Sequence, residues 1–162
     1  MDRIKWIDEV IERAKEAAWL EGPEKALAWL LPLLYDEPGY ARLHLALAEL
    51  YHHYMEEPAV AERHYRMAVH FDDSLNPAYL GLAAILTEDE RHDDVLRICK
   101  DGLRTSKSGK AFLLEALGRA WELKCRYRKA IRHYRKALRH SAQLYQGKVL
   151  EESIRRCGRK RK

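Results

Sequence analysis

Apolar side chains recur three and four residues apart along most of this chain, in stripes separated by charged faces, which is the pattern of amphipathic helices packed on one another. The stripes themselves repeat. Two residues three positions apart recur as Ala14/Ala17, Ala48/Tyr51, Ala83/Leu86 and Gly118/Trp121, in steps of 34, 35 and 35 residues. A second register runs through Ala26, Ala61, Val95 and Ala130, then Leu30, Tyr65, Cys99 and Tyr134, then Leu33, Ala68, Gly102 and Ala137. Two registers with one period of this length predict stacked helical hairpins, because a hairpin has one face to bury and only the next hairpin to bury it on. The expected fold is all-α, an α-solenoid of about four hairpins with a C-terminal capping helix.

The final unit is the clearest. Phe112, Leu114, Leu117, Gly118 and Trp121 form one helical stripe, Lys124-Cys125-Arg126 the turn, and Ala130, Ile131, Tyr134, Ala137 and Leu138 the second stripe. Small residues at 14, 48, 83 and 118 mark places where helix backbones approach closely. Pro23 and Pro58 suit the first turn of the second helix in their units, where a missing N–H costs nothing. Asn76-Pro77 reads as an N-cap followed by a first helical residue, and Asp36-Glu37-Pro38-Gly39 and Thr105-Ser106-Lys107-Ser108-Gly109 read as separators. Pro32, inside the second helix of the first unit, predicts a kink or an early end. The boundaries that follow are one domain over 1–157, with repeats at about 7–40, 41–75, 76–110 and 111–141, a cap helix over about 143–157 and a basic tail over 158–162. Leu144, Tyr145, Val149, Leu150 and Ile154 are the apolar positions expected of the cap helix, and the stretch from Arg155 onward is expected to fray.

With 47% apolar residues in 162 the chain can bury a continuous core, and its longest apolar run, Ala26 to Tyr35, is too short to cross a bilayer. No secretory signal is visible at the start, and three cysteines without a CxxC pair fit a reducing compartment, so a cytoplasmic location is expected. The net charge of +5 conceals an asymmetry: from Arg104 onward nineteen Lys and Arg face four acids, a net +15, whereas the preceding part carries a net −10.

The repeating unit resembles the tetratricopeptide repeat, most closely in the last copy through Leu114, Leu117-Gly118, Trp121, Tyr127, Ala130, Tyr134 and Ala137. The resemblance covers about residues 7–141 and implies a fold that holds peptides or proteins without chemistry of its own. In the family the first helices of successive repeats line a concave face. Carried onto this sequence, that face comprises Ile11, Lys15 and Trp19; Leu45, Glu49, His52 and His53; Leu80, Ala84 and Glu88; and Glu115, Arg119 and Glu122. Family members that clamp a C-terminal carboxylate use Lys, Asn and Arg, but the matching places here are Ile11, Lys15, Ala46, Pro77 and Gly81, so only Lys15 survives.

No nucleophile elbow, phosphate-binding glycine loop, His-Glu-x-x-His or paired zinc cysteines occur, so no catalytic residue, cofactor or metal is expected. Glu49 and His52, with Asp89 and His92 as a second pair, have the spacing of a carboxylate–imidazole metal motif, but exposed Glu/His pairs are common on polar helix faces. Cys99 reads as a small core residue and Cys125 as an incidental thiol. The sharpest surface feature is Arg126, Arg128, Lys129, Arg132, Arg135, Lys136 and Arg139, which cover the outer face of one helix. Such a stripe suits an acidic protein surface, with weak head-to-tail self-association as one form of this; nucleic-acid binding by the basic repeat and tail is the alternative. Its tyrosines occupy packing places, so base stacking is not provided for.

Overall fold

The computed structural model describes residues 2–105 and 109–161. Nine α-helices and no strand occur among them: α1 (Arg3–Leu20), α2 (Pro23–Asp36), α3 (Ala41–His53), α4 (Pro58–Phe71), α5 (Asn76–Glu88), α6 (His92–Thr105), α7 (Lys110–Leu123), α8 (Tyr127–His140) and α9 (Leu144–Lys160). They pair as hairpins, α1 with α2, α3 with α4 and α7 with α8, each packing its apolar stripe inward. Two compact units divide between Gly81 and Leu82, inside α5.

Local chemistry accounts for the boundaries. Asp2 caps α1, its Oδ1 accepting from the Ile4 N–H at 3.2 Å, and Pro23 and Pro58 open α2 and α4 where the first-turn N–H has no intrahelical acceptor. The turn inside each hairpin reuses one backbone position: Gly22, Glu56, Glu90 and Cys125 all have positive φ, at 108°, 53°, 58° and 55°. After α5 and α7 this residue ends the helix in a left-handed cap, and the next N–H bonds back five residues, Arg91 to the Leu86 carbonyl and Arg126 to the Trp121 carbonyl, both at 2.8 Å. Glu56, Glu90 and Cys125 therefore hold a conformation that glycine adopts without strain.

In the first unit the core is Ile7, Ile11 and Ala14 of α1, Ala26, Leu30 and Leu33 of α2, and Leu43, Ala46, Leu47 and Leu50 of α3. Ion pairs and hydrogen bonds tie its rim: Arg42 and the Tyr40 hydroxyl both reach Asp8, at 2.7 and 2.6 Å, and Arg3 reaches Asp36 and Glu37. Tyr65 of α4 is buried against Gly81, whose missing side chain makes the room: a Cβ there would stand 2.2 Å from the ring. The second unit repeats the device inside one hairpin, where a Cβ on Gly118 of α7 would stand 2.5 Å from the ring of Tyr134 on α8.

Three expectations need correction. Pro32 does not end α2, which continues to Asp36; Pro32 and Ala28, whose carbonyl loses its partner, both lie on the exposed face, where water can serve that carbonyl. In α7 the inward residue is Leu113, fully buried, whereas Phe112 is 41% exposed. The last helix runs to Lys160, so Gly158, Arg159 and Lys160 are its final turn and not a frayed tail; Lys162 and the separator residues Ser106, Lys107 and Ser108 lie outside the described residues.

The buried face of α9 is Gln146, Leu150, Ser153 and Cys157, while Leu144 and Tyr145 are 79% and 80% exposed. Ser153 stands 35 residues after Gly118, so α9 continues the small-residue register as the first helix of a fifth unit. At the places where α7 has Leu113, Leu117 and Ala120, α9 has Lys148, Glu152 and Arg155, all exposed. That substitution gives the end of the repeat array a face that water can solvate.

Candidate functional site

The first unit holds a cavity of about 250 Å³ where α1, α2 and α3 meet. Its floor is small and apolar, Ala14 and Ala18 from α1, Ala26 and Leu30 from α2, and Ala46 and Leu50 from α3. Its rim is polar, with Lys15, Glu49, His53 and Tyr54. Lys15 and Glu49 face each other with Nζ and Oε2 3.5 Å apart, and Lys15 also lies 3.7 Å from Glu12. The cavity exists because residues 18 and 30 are both small enough to leave the junction unfilled.

In two other repeats the equivalent places hold larger side chains that meet one another. One repeat on, Ala18 becomes His52 and Leu30 becomes Tyr65; the Tyr65 hydroxyl meets His52 Nδ1 at 3.5 Å, with the two rings edge to face. In the last hairpin the same places hold Glu122 and Tyr134, and the Tyr134 hydroxyl donates to Glu122 Oε2 at 2.9 Å. Arg156 of α9 then closes a bidentate pair on Glu122, with Nε to Oε1 at 2.7 Å and Nη2 to Oε2 at 2.9 Å. Glu122 is only 10% exposed, and its carboxyl is held down to about 2, first by the Arg156 hydrogen bond and also by that of Tyr134. Burial pushes the Tyr134 hydroxyl upward, and Glu122 adds to this. Glu115 is engaged as well, its Oε2 accepting from Gln146 Nε2 at 3.0 Å.

The sequence-predicted groove residues therefore divide. In the first unit Lys15, Glu49 and His53 come together at the cavity rim; His52 stacks on His53 and meets Tyr65, and Trp19 stands 77% exposed at the end of α1. Ile11 and Leu45 are not groove residues: both are buried, Ile11 in the core, because they fall on the packing side of α1 and α3. In the second unit Glu88 and Arg119 are exposed, while Glu115 and Glu122 bind α9. Glu49 is paired with Lys15, and no group of three or more His, Cys, Asp or Glu that could hold a metal ion stands together among the described residues. The small residues Ala18, Ala26 and Ala46 that line the cavity were missed by the sequence reading.

The basic residues lie on and beside α8, whose inner stripe of Ala130, Ile131, Tyr134 and Ala137 is buried. Lys129 lies 4.1 Å from the centre of the Trp121 ring. Another feature legible only in the fold is a histidine pair: His44 Nε2 donates to the Pro38 carbonyl at 2.9 Å, which leaves its Nδ1 to accept from the Nδ1–H of His64 at 3.1 Å. Among the described residues no helix is long and apolar enough to cross a membrane.

No protein-family model matches the chain, and no curated protein matches it in sequence. Solved structures do match in shape. The pilF product of Pseudomonas aeruginosa superposes with a TM-score of 0.80 at 21% identity, over 99% of this chain and 74% of that one. MamA protein superposes at 0.71 and 18% identity, over 83% and 72%. A thermophilic TPR protein of Thermus thermophilus superposes at 0.70 and 17% identity, over 90% and 79%. At these identities the likeness concerns the fold. With the 34- and 35-residue registers and the paired helices, it establishes that the chain has the tetratricopeptide-repeat fold, of the all-α helical-repeat class.

Proposed function

We propose that this protein is a non-enzymatic, cytoplasmic interaction scaffold whose first unit binds a partner segment by taking one bulky apolar side chain into the cavity between α1, α2 and α3. The observation that carries this reading is the cavity itself: an apolar floor of alanines and leucines inside a polar rim of Lys15, Glu49 and His53. Such a site offers burial to a single anchor while the rim groups hydrogen-bond the segment on either side of it. The fold supports the reading, because stacked helical hairpins present side chains over an extended surface while their cores remain rigid. Trp19 stands exposed at the end of α1, the helix that also carries Lys15 of the rim.

Peptide display against the purified protein tests this. Selected peptides should share one large apolar residue, and Leu30→Tyr, which fills the cavity as Tyr134 fills the equivalent place, should abolish their binding while the melting temperature stays within a few degrees. Peptides without a common apolar residue, or undiminished binding to Leu30→Tyr, would remove the cavity as the site.

A further inference from the structure

The second unit carries a charged surface that its own fold leaves unneutralised. Outside its buried stripe, α8 presents Arg128, Arg132, Arg135, Lys136 and Arg139, with no Asp or Glu anywhere in the helix. None of these five has an ion-pair partner among the described residues. Several cations on other helices are paired instead: Arg42 with Asp8, Arg97 with Asp94, Lys124 with Asp93 and Arg156 with Glu122. The α8 charges also repel one another, since Arg128, Arg132, Arg135 and Arg139 are three and four residues apart, and Arg128 sits in the first turn, at the positive end of the helix dipole. The half-buried His133 of the same helix records that field. Burial first, and then the charges of Lys136, Arg132 and Lys100, lower its proton affinity.

A second observation narrows the partner. Immediately beyond α8, in the first turn of α9, Leu144 and Tyr145 stand 79% and 80% exposed. Four of the five α8 cations are arginines, whose planar forks fit carboxylates in pairs, and arginine and tyrosine concentrate binding energy in protein interfaces where lysine does not. A nucleic-acid backbone would use the cations but leave Leu144 with nothing to bury, and no aromatic on the outer face of α8 is placed to stack a base. The arginine row spans roughly 16 Å of helix, a length that about three turns of a partner helix with acids at the same spacing would cover.

We infer that the outer face of α8 docks an acidic segment of a partner polypeptide, with carboxylates along the Arg128–Arg139 row and an apolar residue against Leu144 and Tyr145. This surface is separate from the α1–α3 cavity, so Leu30→Tyr leaves it intact and the two readings fail independently.

Fluorescence anisotropy with a labelled poly-glutamate peptide of about five helical turns, and with the same peptide ending in Leu-Phe, tests the assignment. Arg132→Glu with Arg135→Glu and Arg139→Glu should weaken both peptides at least tenfold at about 0.15 M salt, where surface charges still act over about 8 Å. Reversing Lys148, Arg155 and Arg159 of α9 changes net charge equally and should weaken them less than threefold. Leu144→Ser with Tyr145→Ser should weaken only the Leu-Phe peptide. Glutamine replacements at 132, 135 and 139 provide the same comparison should charge reversal disturb folding. Equal losses from the α8 and α9 reversals would overturn the inference, as would tighter binding to single-stranded RNA or to phosphatidylserine vesicles than to either peptide.

Discussion

At position 18 the chain has alanine and at the equivalent position 122 it has glutamate; at 30 it has leucine and at 134 tyrosine. The same helix positions thus produce an open cavity where α1, α2 and α3 meet and a closed polar lock where α7, α8 and α9 meet. Both junctions consist of a hairpin receiving the next helix. In the first, small side chains leave space and the polar groups stay at the rim; in the last, Tyr134 fills the space, its hydroxyl satisfies Glu122, and Glu122 is neutralised by Arg156. The difference teaches that the repeat needs only its small and apolar registers to stack. What occupies the remaining junction positions decides whether a junction stays open or is fastened.

The lock should be the more fragile side. Gly118→Leu forces a side chain into the Tyr134 ring, where even a Cβ would stand at 2.5 Å, and should cost about 3 kcal/mol. A denaturant midpoint equal to that of the parent would mean the two helices can separate without loss. Replacing Glu122 by alanine leaves the Tyr134 hydroxyl and Arg156 without their acceptor and should cost about 2 kcal/mol, whereas Glu49→Ala at the cavity rim should change stability by less than about 0.5 kcal/mol. Urea titrations of the two variants compare the junctions directly. Because the Glu122 carboxyl is lowered from 4.5 to about 2 in the folded protein, its contribution is complete above pH 4.5 and disappears as the pH falls through 2; Glu122→Ala should lack this acid limb.

A pH titration also reaches both units through equivalent histidines. His64 is lowered from 6.5 to about 4 by burial first and then by the charges of His44 and Arg63; His133, 69 residues later in the same register, is lowered by burial, Lys136, Arg132 and Lys100. A histidine held neutral in the fold takes up protons more readily when unfolded, so the stabilisation from His64 is complete above pH 6.5 and is lost as the pH falls toward 4. The melting temperature should fall by a few degrees over that window. His64→Phe should flatten the dependence, and an unchanged slope would show that the His44–His64 contact breaks without consequence. The smallest expected effect is a gain: Cys125→Gly relieves a left-handed backbone, φ 55°, and should stabilise by about 0.5–1 kcal/mol, whereas the equivalent Gly22 already has this advantage.

Much of the fold was legible because stacking imposes a strict period. A residue that must let two backbones approach has to be small every 34 or 35 positions, so Ala14, Ala48, Ala83 and Gly118 mark the hairpins, and Ser153 continues the same register into α9. Pro32 misled because a proline's cost depends on whether the carbonyl it deprives faces water, and only the fold places Ala28 on the outside. Ile11, Leu45 and Phe112 were misplaced for a related reason: helical spacing defines a face, but which edge of that face meets a neighbour depends on how the helices cross.

The sequence by itself determined the helices, their pairing and the charge of each end, because periodicity, prolines and acid–base counts are properties of the chain. Tertiary structure alone decided which polar groups are buried and fastened between helices and which stand at a rim. Glu49 and Glu122 read alike as acids on first helices, yet one stands at the rim of a cavity, paired with Lys15, and the other is held by a tyrosine and an arginine 12 and 34 residues away. Pair distances of a few ångströms decide a carboxylate's energy, and no spacing along the chain encodes them.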